Sequence, residues 1–179
     1  MKKRKILLAT IAVLVALTVS VAVYAGDYYR ADAAAIAAMA GNDTVTVEQT
    51  GNLTAFVPDT AEAGFIFYPG GKVEHSAYAP LLLELAEEDI LCVLVKMPLN
   101  LAVLDMNAAE GIPERFPDVE NWYIGGHSLG GSMAASFAGE NADIYEGLIL
   151  LAAYSTEDLT NSDVEVLSIF GSEDGVLNR

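Results

Sequence analysis

Residues 122–131 of the chain read W-Y-I-G-G-H-S-L-G-G, so an apolar, strand-like segment runs directly into a small-residue, helix-like one. Between them lies a G-x-S-x-G pattern with Gly126, His127, Ser128, Leu129 and Gly130. A strand that reverses sharply into a helix brings its own backbone close to the turn, and the two glycines leave the room that side chains would fill. The serine at the tip would project its hydroxyl above a sheet, and the next residue would offer its backbone N–H to an oxyanion. The stretch therefore predicts a strand, a tight turn and a helix that carry a candidate nucleophile.

The pattern by itself is also compatible with a glycine-rich turn that only packs tightly. A second glycine segment, Pro69-Gly70-Gly71, follows the apolar run from Gly64 to Tyr68. A second oxyanion donor has to come from the backbone of a loop beside the serine, and paired glycines allow that close approach. Gly70 and Gly71 are therefore candidate donors, with an ordinary tight turn as the alternative.

These segments together resemble a known family. G-G-H-S-L-G-G at residues 125–131, F-I-F-Y-P-G-G at 65–71 and F-G-S-E-D at 170–174 are similar to the α/β-hydrolase superfamily, in particular to a compact bacterial branch with a very small lid. The resemblance extends from about Val45 to the C-terminus. It implies that Gly70 or Gly71 is the second oxyanion donor. It also implies that His127 serves packing or orientation in the tight turn that carries Ser128.

The resemblance also implies a catalytic acid. Asp174 occupies the place where the superfamily carries it, in the chain order serine, acid, histidine. A carboxylate there would orient the histidine and stabilise the imidazolium that forms when the serine gives up its proton. Glu173 and Asp158 remain alternative candidates for the catalytic acid. Asp174 could instead be an ordinary turn aspartate before Gly175, with no catalytic role.

The sequence offers no obvious base for the serine. A serine hydroxyl needs a base within hydrogen-bond reach, and the chain has two histidines, His75 and His127. His127 is expected to point away from its neighbour Ser128, and His75 precedes the serine, next to Glu74. The resemblance implies a histidine one strand beyond the acid, so the chain is expected to be a C-terminally incomplete hydrolase that lacks its last strand and helix and is nearly inactive as given.

Alternating strands and helices predict an α/β fold. Two short segments around Gly51-Asn52 suggest an opening hairpin, and later apolar runs alternate with helix-like segments. We therefore expect a mainly parallel sheet with helices on both faces. The three motifs all fall at carboxyl ends of strands, where open α/β sheets carry their chemistry. The predicted strands are 45–48, 53–57, 64–68, 90–95, 122–124, 147–151 and 165–170, and the predicted helices are 78–87 and 132–139.

Composition limits the possible functions. The chain of 179 residues has a formal net charge of −16, and four of its nine cations lie at positions 2–5, which leaves −20 on the rest. Such a charge repels phosphate backbones, so nucleic-acid binding is not expected. Cys92 is the only cysteine and lies in an apolar run, which excludes an intrachain disulfide and suggests a buried thiol. The two histidines form no cluster with cysteine, so we expect no metal site and no cofactor.

The first 25 residues form a targeting or anchoring element. Four cations precede residues 6–25, which carry no charge over a length that can cross a bilayer as a helix. Residues 1–25 are therefore predicted to be a signal anchor, with the domain on the extracytoplasmic side of the cell membrane; cleavage before Gly26 and secretion is the alternative. Residues 26–43 are expected to be a helical spacer, because 27–40 are alanine-rich and Gly41 can end a helix. Residues 44–179 form the hydrolase domain.

The sequence thus predicts a serine hydrolase that cleaves a carboxylic ester or related acyl bond of a small-molecule substrate through an acyl-enzyme on Ser128. Residues 152–163 are the only candidate for a lid, so an open pocket is expected. One alternative is a catalytically silent scaffold that binds partners at the membrane surface. Another is an anion-binding turn at a helix N-terminus, although no Lys or Arg lies beside this turn.

Overall fold

The computed structural model describes residues 2–175, and within this part of the chain a single seven-stranded sheet forms the centre. The strands lie in the order β1-β2-β4-β3-β5-β6-β7, with antiparallel pairing of β1 with β2 and of β2 with β4 and parallel pairing elsewhere. The predicted mainly parallel α/β sheet is therefore confirmed. The strands are β1 Val45–Thr50, β2 Leu53–Pro58, β3 Ala63–Tyr68, β4 Ile90–Val95, β5 Trp122–His127, β6 Gly147–Leu151 and β7 Glu165–Ile169; the helices are α1 Lys2–Gly26, α2 Ala33–Ala38, α3 Ala79–Glu87 and α4 Leu129–Glu140.

Helices cover both faces of the sheet, as the sequence predicts. The central strands β3 and β4 are almost wholly buried, which is typical of parallel strands that are covered on both sides. On one face α4 packs with its small residues and Phe137 against Ile66, Ile124 and Leu148. On the other face α3 packs through Leu82 against the opposite sides of the same strands. The sheet is therefore held between two separate apolar clusters.

The segment after α1 contains less helix than its alanine content suggests. Helix α2 covers only Ala33–Ala38, and its N-cap is Asp32, whose Oδ1 accepts a hydrogen bond of 2.8 Å from the Ala35 N–H. Before this cap the chain is extended, because Tyr29 forms a parallel bridge with Val73. The tertiary hydrogen bonds of Tyr29 thus override helix propensity, which is weak when summed over so few residues.

Two elements expose much apolar surface. None of the residues of α1 is buried, and the helix is long and apolar enough to cross a membrane by length and composition. At the other end of the chain, every residue of β7 is exposed, and Leu167 has 54% of its surface accessible. Strand β7 is the last strand of the described sheet, so one of its edges and both of its faces are open.

Candidate active site

The junction of β5 and α4 forms a sharp turn whose tip is Ser128. Strand β5 ends at His127, α4 begins at Leu129, and Ser128 between them has φ 51° and ψ −123°. Such a conformation is rare for a residue with a side chain and costs about 1–3 kcal/mol. It is held by hydrogen bonds from the Ser128 N–H to the Leu151 carbonyl (2.9 Å) and from the Ser132 N–H to the Ser128 carbonyl (3.1 Å). Ser128 is exposed at the N-terminus of α4.

The two glycines of the G-x-S-x-G pattern lie against the end of β3. A methyl group on Gly130 would overlap the carbonyl oxygens of Tyr68 and Pro69, and one on Gly126 would overlap the Tyr68 carbonyl. The turn therefore packs directly on the backbone that leads into Gly70. This close approach is the reason that the loop after β3 lies beside the tip of the turn.

Tyr78 connects this loop to the turn. The Gly70 N–H donates to the Tyr78 hydroxyl at 3.0 Å, and that hydroxyl lies 2.9 Å from His127 Nδ1. A hydroxyl that accepts from Gly70 can donate its own proton to a neutral imidazole nitrogen, so the three groups form a continuous chain. The Gly70 Cα also approaches His127 closely, because a Cβ there would lie 2.6 Å from Nδ1. No sequence pattern pointed to Tyr78, which lies where α3 was expected to begin.

The backbone amides near Ser128 differ in their availability. The Gly70 N–H is bonded to Tyr78, whereas no hydrogen bond from the Gly71 N–H is found within residues 2–175. Leu129 is the first residue of α4, so its N–H has no partner inside the helix. The two segments touch, since a Cβ on Gly71 would lie 3.1 Å from Leu129 Cδ2. Within residues 2–175, the N–H groups of Gly71 and Leu129 are thus available beside the serine to donate a hydrogen bond.

The three candidate acids lie in different surroundings. Asp174, five residues past β7, acts electrostatically on His127, whose pKa is lowered chiefly by burial and raised less strongly by Asp174. Asp158 bonds within its own turn, because its Oδ1 accepts from the N–H and the hydroxyl of Thr160, which lowers the pKa of Asp158. Glu173 is exposed. Asp174 is therefore the carboxylate with an electrostatic link to the turn.

The two histidines occupy separate places. His127 contacts Tyr78, as described above. His75 begins the short helical turn that precedes α3. It lines a cavity of about 320 Å³ together with Thr54 and Lys96. Burial lowers the pKa of His75, and the Lys96 ammonium lowers it further. Within residues 2–175 neither imidazole is hydrogen-bonded to Ser128.

The segment after β6 packs along α4. The Ser132 hydroxyl donates to the Tyr154 carbonyl at 3.0 Å, and the Thr156 hydroxyl donates to the Ser132 carbonyl at 3.1 Å. These bonds hold the segment against the side of the helix, and Ser128 stays exposed. The site is open to solvent in this structure.

Other reactive groups lie away from the turn. Cys92 is buried in β4, and burial raises the pKa of its thiol. In the described part of the chain, no group of three or more His, Cys, Asp or Glu side chains is arranged so that it could hold a metal ion. The groups gathered at the turn are thus a hydroxyl, backbone amides, a tyrosine–histidine pair and a carboxylate.

Comparison with known proteins identifies the family. The model of the alpha/beta hydrolase family matches residues 64–179, which is more than half of the chain. No match was found among curated proteins. The chain belongs to the α/β-hydrolase family, in agreement with the resemblance that the sequence motifs indicated.

Solved structures share the fold at low sequence identity. The crystal structure of TT1662 from Thermus thermophilus matches with a TM-score of 0.52 and 17% identity over 68% of this chain and 63% of its own. A bacterial heroin esterase matches with a TM-score of 0.54 and 16% identity over 68% of this chain and 49% of its own. The chain thus spans between about half and just under two thirds of the length of these structures.

Proposed function

We propose that the protein is a serine hydrolase that cleaves a carboxylic ester or a related acyl bond through an acyl-enzyme on Ser128. The observation that carries this proposal is the strained, exposed Ser128 at the junction of β5 and α4. Residues are kept in such conformations only where the surrounding structure enforces them, and strain of this kind concentrates at active sites. A turn with a purely packing role would gain nothing from a serine in this conformation.

In the proposed reaction the Ser128 Oγ attacks the acyl carbon and passes its proton to a base. The carbonyl oxygen becomes an oxyanion, which the N–H groups of Leu129 and Gly71 would stabilise. Gly71 is preferred to Gly70 as the second donor, because the Gly70 N–H is already bonded to Tyr78. The alcohol then leaves with the proton from the base, and water releases the acid by the same steps in reverse order.

The base is proposed to be a histidine other than His75 and His127, with Asp174 as the acid that orients it. The geometry supports this, because His127 is engaged with Tyr78 and His75 lines a different cavity. His127 and Tyr78 are proposed as positioning residues that hold the Gly70 peptide. The distinctive loop motifs of a compact bacterial branch remain part of this proposal.

The domain organisation is proposed as follows. Residues 1–25 anchor the protein in the cell membrane, residues 26–43 connect the anchor to the domain, and residues 44–179 form the hydrolase domain on the extracytoplasmic side. Helix α1 supports this, because it is long and apolar enough to cross a membrane and cations precede it. Cleavage before Gly26 would instead release the domain.

Labelling with a fluorophosphonate probe tests the nucleophile. In a form of the protein that carries the catalytic histidine, we expect strong labelling that Ser128→Ala abolishes. Ser136→Ala, which removes a hydroxyl from the same helix, should label like the unchanged protein. The 179-residue chain should label weakly, because neither of its histidines is bonded to Ser128.

The outcomes separate the proposal from its competitors. Undiminished labelling of Ser128→Ala would overturn the nucleophile assignment. Strong labelling of the 179-residue chain that depends on Ser128 would overturn the assignment of the base, and His75→Gln would be the next variant to measure. A complete protein that binds at membranes but never labels would be the catalytically silent scaffold.

A further inference from the structure

The chain that leaves α1 is hydrogen-bonded to the loop beside Ser128. The Tyr29 N–H donates to the Lys72 carbonyl at 2.8 Å, and the Glu74 N–H donates to the Tyr29 carbonyl at 2.8 Å. The Ala31 N–H donates to Glu74 Oε2 at 2.9 Å. The apolar helix is therefore connected to the rest of the molecule at the loop that contains the two candidate oxyanion glycines, and not at a remote face.

Lys72 ties the end of α1 to the same loop. Its ammonium lies 2.7 Å from Asp27 Oδ2 and 4.6 Å from the centroid of the Tyr24 ring, and Tyr24 is a residue of α1 itself. An exposed ion pair contributes little alone, but Lys72 also has a positive φ of 59° and bonds through both backbone groups. Lys72 directly follows Gly71, so these contacts place the end of α1 beside the candidate site.

Chain length sets a limit on the separation. Gly26 ends α1 and Tyr29 is already paired with Val73. Three residues span at most roughly 10 Å even when fully extended. A strand pairing adds about 5 Å. If α1 crosses a bilayer, residues 72 and 73 thus lie within about 15 Å of the point at which the chain leaves the membrane.

Tyrosines mark that exit point. Tyr24 lies near the end of α1, Tyr28 and Tyr29 follow it, and Tyr29 has 77% of its surface exposed. Arg30 packs over the Tyr28 ring at 4.6 Å from its centroid. Tyrosine is enriched at membrane–water interfaces, where its ring reaches apolar material and its hydroxyl stays in water. If α1 spans a bilayer, the tyrosines and Lys72 would lie at the level of the lipid headgroups.

Four exposed apolar side chains lie on the same edge of the sheet. Leu99, Val103, Leu104 and Met106, which we call the apolar rim, follow β4 and have between 40% and 54% of their surface exposed. The rim segment is fixed to the site loop, because the Lys72 N–H donates to the Asn100 carbonyl at 2.8 Å. Single exposed apolar residues need no explanation, but four within eight positions form a patch of the kind that marks membrane or ligand contact.

We propose that the carboxyl edge of the sheet faces the bilayer that holds α1, and that Ser128 acts on amphiphilic acyl esters taken from this bilayer rather than on short esters dissolved in water. The inference rests on the proposed hydrolase function and on α1 as a retained anchor. The apolar rim would contact the acyl region while the ester group reaches Ser128. The domain is strongly acidic and is repelled by anionic headgroups, so apolar burial supplies the contact.

A depth measurement tests the orientation without any turnover. The full chain is placed in vesicles of phosphatidylethanolamine and phosphatidylglycerol after Leu104→Cys is labelled with an environment-sensitive fluorophore; Cys92 is buried and should not react. Nitroxide lipids should quench this label strongly. The matched control is Ile144→Cys, an apolar residue of 40% exposure that precedes β6 at the opposite edge of the sheet, and its label should be quenched little. Equal quenching at the two positions would overturn the orientation.

An activity measurement tests the substrate class in the complete protein. The double variant Leu99→Ser/Leu104→Ser should lose at least tenfold of the hydrolysis of a long-chain nitrophenyl ester held in the vesicles, and should keep the hydrolysis of soluble nitrophenyl acetate. Ile144→Ser should change neither rate. Equal loss on both esters, or no loss on either, would overturn the inference about the substrate. Absence of any Ser128-dependent hydrolysis would instead count against the proposed function, and the quenching result would still decide the orientation.

A spacer between α1 and the domain tests in a second way whether the site lies close to the bilayer. Sixteen Gly and Ser residues inserted between Gly26 and Asp27 add a coil whose ends lie roughly 20–24 Å apart on average. The domain keeps its fold, because no backbone bond of the sheet crosses this point. Hydrolysis of the vesicle-held ester should fall severalfold while hydrolysis of the soluble ester is retained, and an unchanged rate on the vesicle-held ester would contradict the proposed closeness to the bilayer.

Discussion

Ser128 holds φ 51° and ψ −123°, and the packing around it must offset a strain of about 1–3 kcal/mol. The offset comes from the close contact of the turn with the end of β3, where only glycine fits at positions 126 and 130. Local sequence was sufficient to predict this turn, because the spacing of glycine and serine is a local requirement. It was not sufficient to find Tyr78, whose hydroxyl meets Gly70 and His127 only after β3, α3 and β5 have assembled.

Tyr78→Phe should reduce turnover in the complete protein without preventing folding. The ring would stay packed on Phe67, while the Gly70 N–H and His127 would lose their shared partner. Because Tyr78 acts through the loop, we expect a loss smaller than the 10²–10³-fold typical of a deleted oxyanion donor, with KM little changed. Tyr123→Phe, which removes the hydroxyl of a half-buried tyrosine in β5, is the control. A wild-type kcat for Tyr78→Phe, measured with a soluble ester, would contradict this role.

The pH dependence of stability should report on His127. Burial lowers the pKa of His127 below its usual value of about 6.5, so the folded state favours the neutral imidazole. An unfolded histidine takes up its proton near pH 6.5, so the stability that depends on neutral His127 is complete above that pH and is lost as the pH falls towards the folded pKa. His75 shifts in the same direction.

Thermal melting of the 179-residue chain between pH 7.5 and 5.5 measures this effect. We expect the Tm to fall towards pH 5.5, the fall to be smaller in His127→Gln and in His75→Gln, and the double variant to be nearly independent of pH in this window. Most carboxylates titrate at lower pH and contribute little here. An unchanged slope in His127→Gln would show that the imidazole is not held in its neutral form.

The elements around the site owe their positions to packing between segments far apart in sequence. Helix α4 is set against the end of β3 by Gly130, and the segment after β6 is set against α4 by bonds to Ser132. The strands were predicted well because their apolar runs are local. The length of α2 was not predicted correctly, because the start of this helix depends on Asp32 and on the hydrogen bonds of the preceding chain to Glu74. Where propensity and tertiary bonds compete over a short segment, the tertiary bonds decide.

Gly130→Ala should destabilise the domain. The added methyl group would overlap the carbonyl oxygens of Tyr68 and Pro69, and these backbone atoms can move only if the turn separates from β3. Overpacking of this kind typically costs about 1–3 kcal/mol. Gly171→Ala is the control, since a Cβ there would meet nothing closer than the Asp174 backbone nitrogen at 4.0 Å. Urea unfolding should show a clear loss for the first variant only, and equal midpoints would contradict the described contact.

At the scale of the whole molecule, the apolar N-terminal helix and the hydrolase domain are joined at the candidate site. Tyr29, Asp27 and Tyr24 all contact the loop at residues 72–74 directly. An anchor connected in this way would fix not only the compartment of the domain but also the edge of the sheet that meets the membrane. A flexible tether would fix the compartment alone.

Fractionation of cells that express the protein should test the anchor. We expect the protein to stay in the membrane pellet after extraction with alkaline carbonate, because about twenty uncharged residues favour insertion as a spanning helix. A variant with Leu14→Arg and Leu17→Arg should be released, since charges at the centre of a span are costly. A soluble product whose N-terminus is Gly26 would instead show a cleaved signal.

Two features of this protein follow from the sequence by itself. The apolar runs and their glycine boundaries determine the order of strands and helices, and the G-x-S-x-G spacing determines a tight turn with a serine at its tip. Both are local properties: side-chain periodicity selects the element, and the absence of a Cβ selects the positions where backbones meet.

The tertiary structure alone decided which donors, charges and surfaces come together at that turn. It joined Gly70 to Tyr78, linked Asp174 electrostatically to His127, and bound Asp27, which follows α1, to Lys72. These partners are separated by between 8 and 47 positions along the chain. Their meeting depends on the crossing order of the strands, which brings distant loops to one edge of the sheet and which no local pattern of residues encodes.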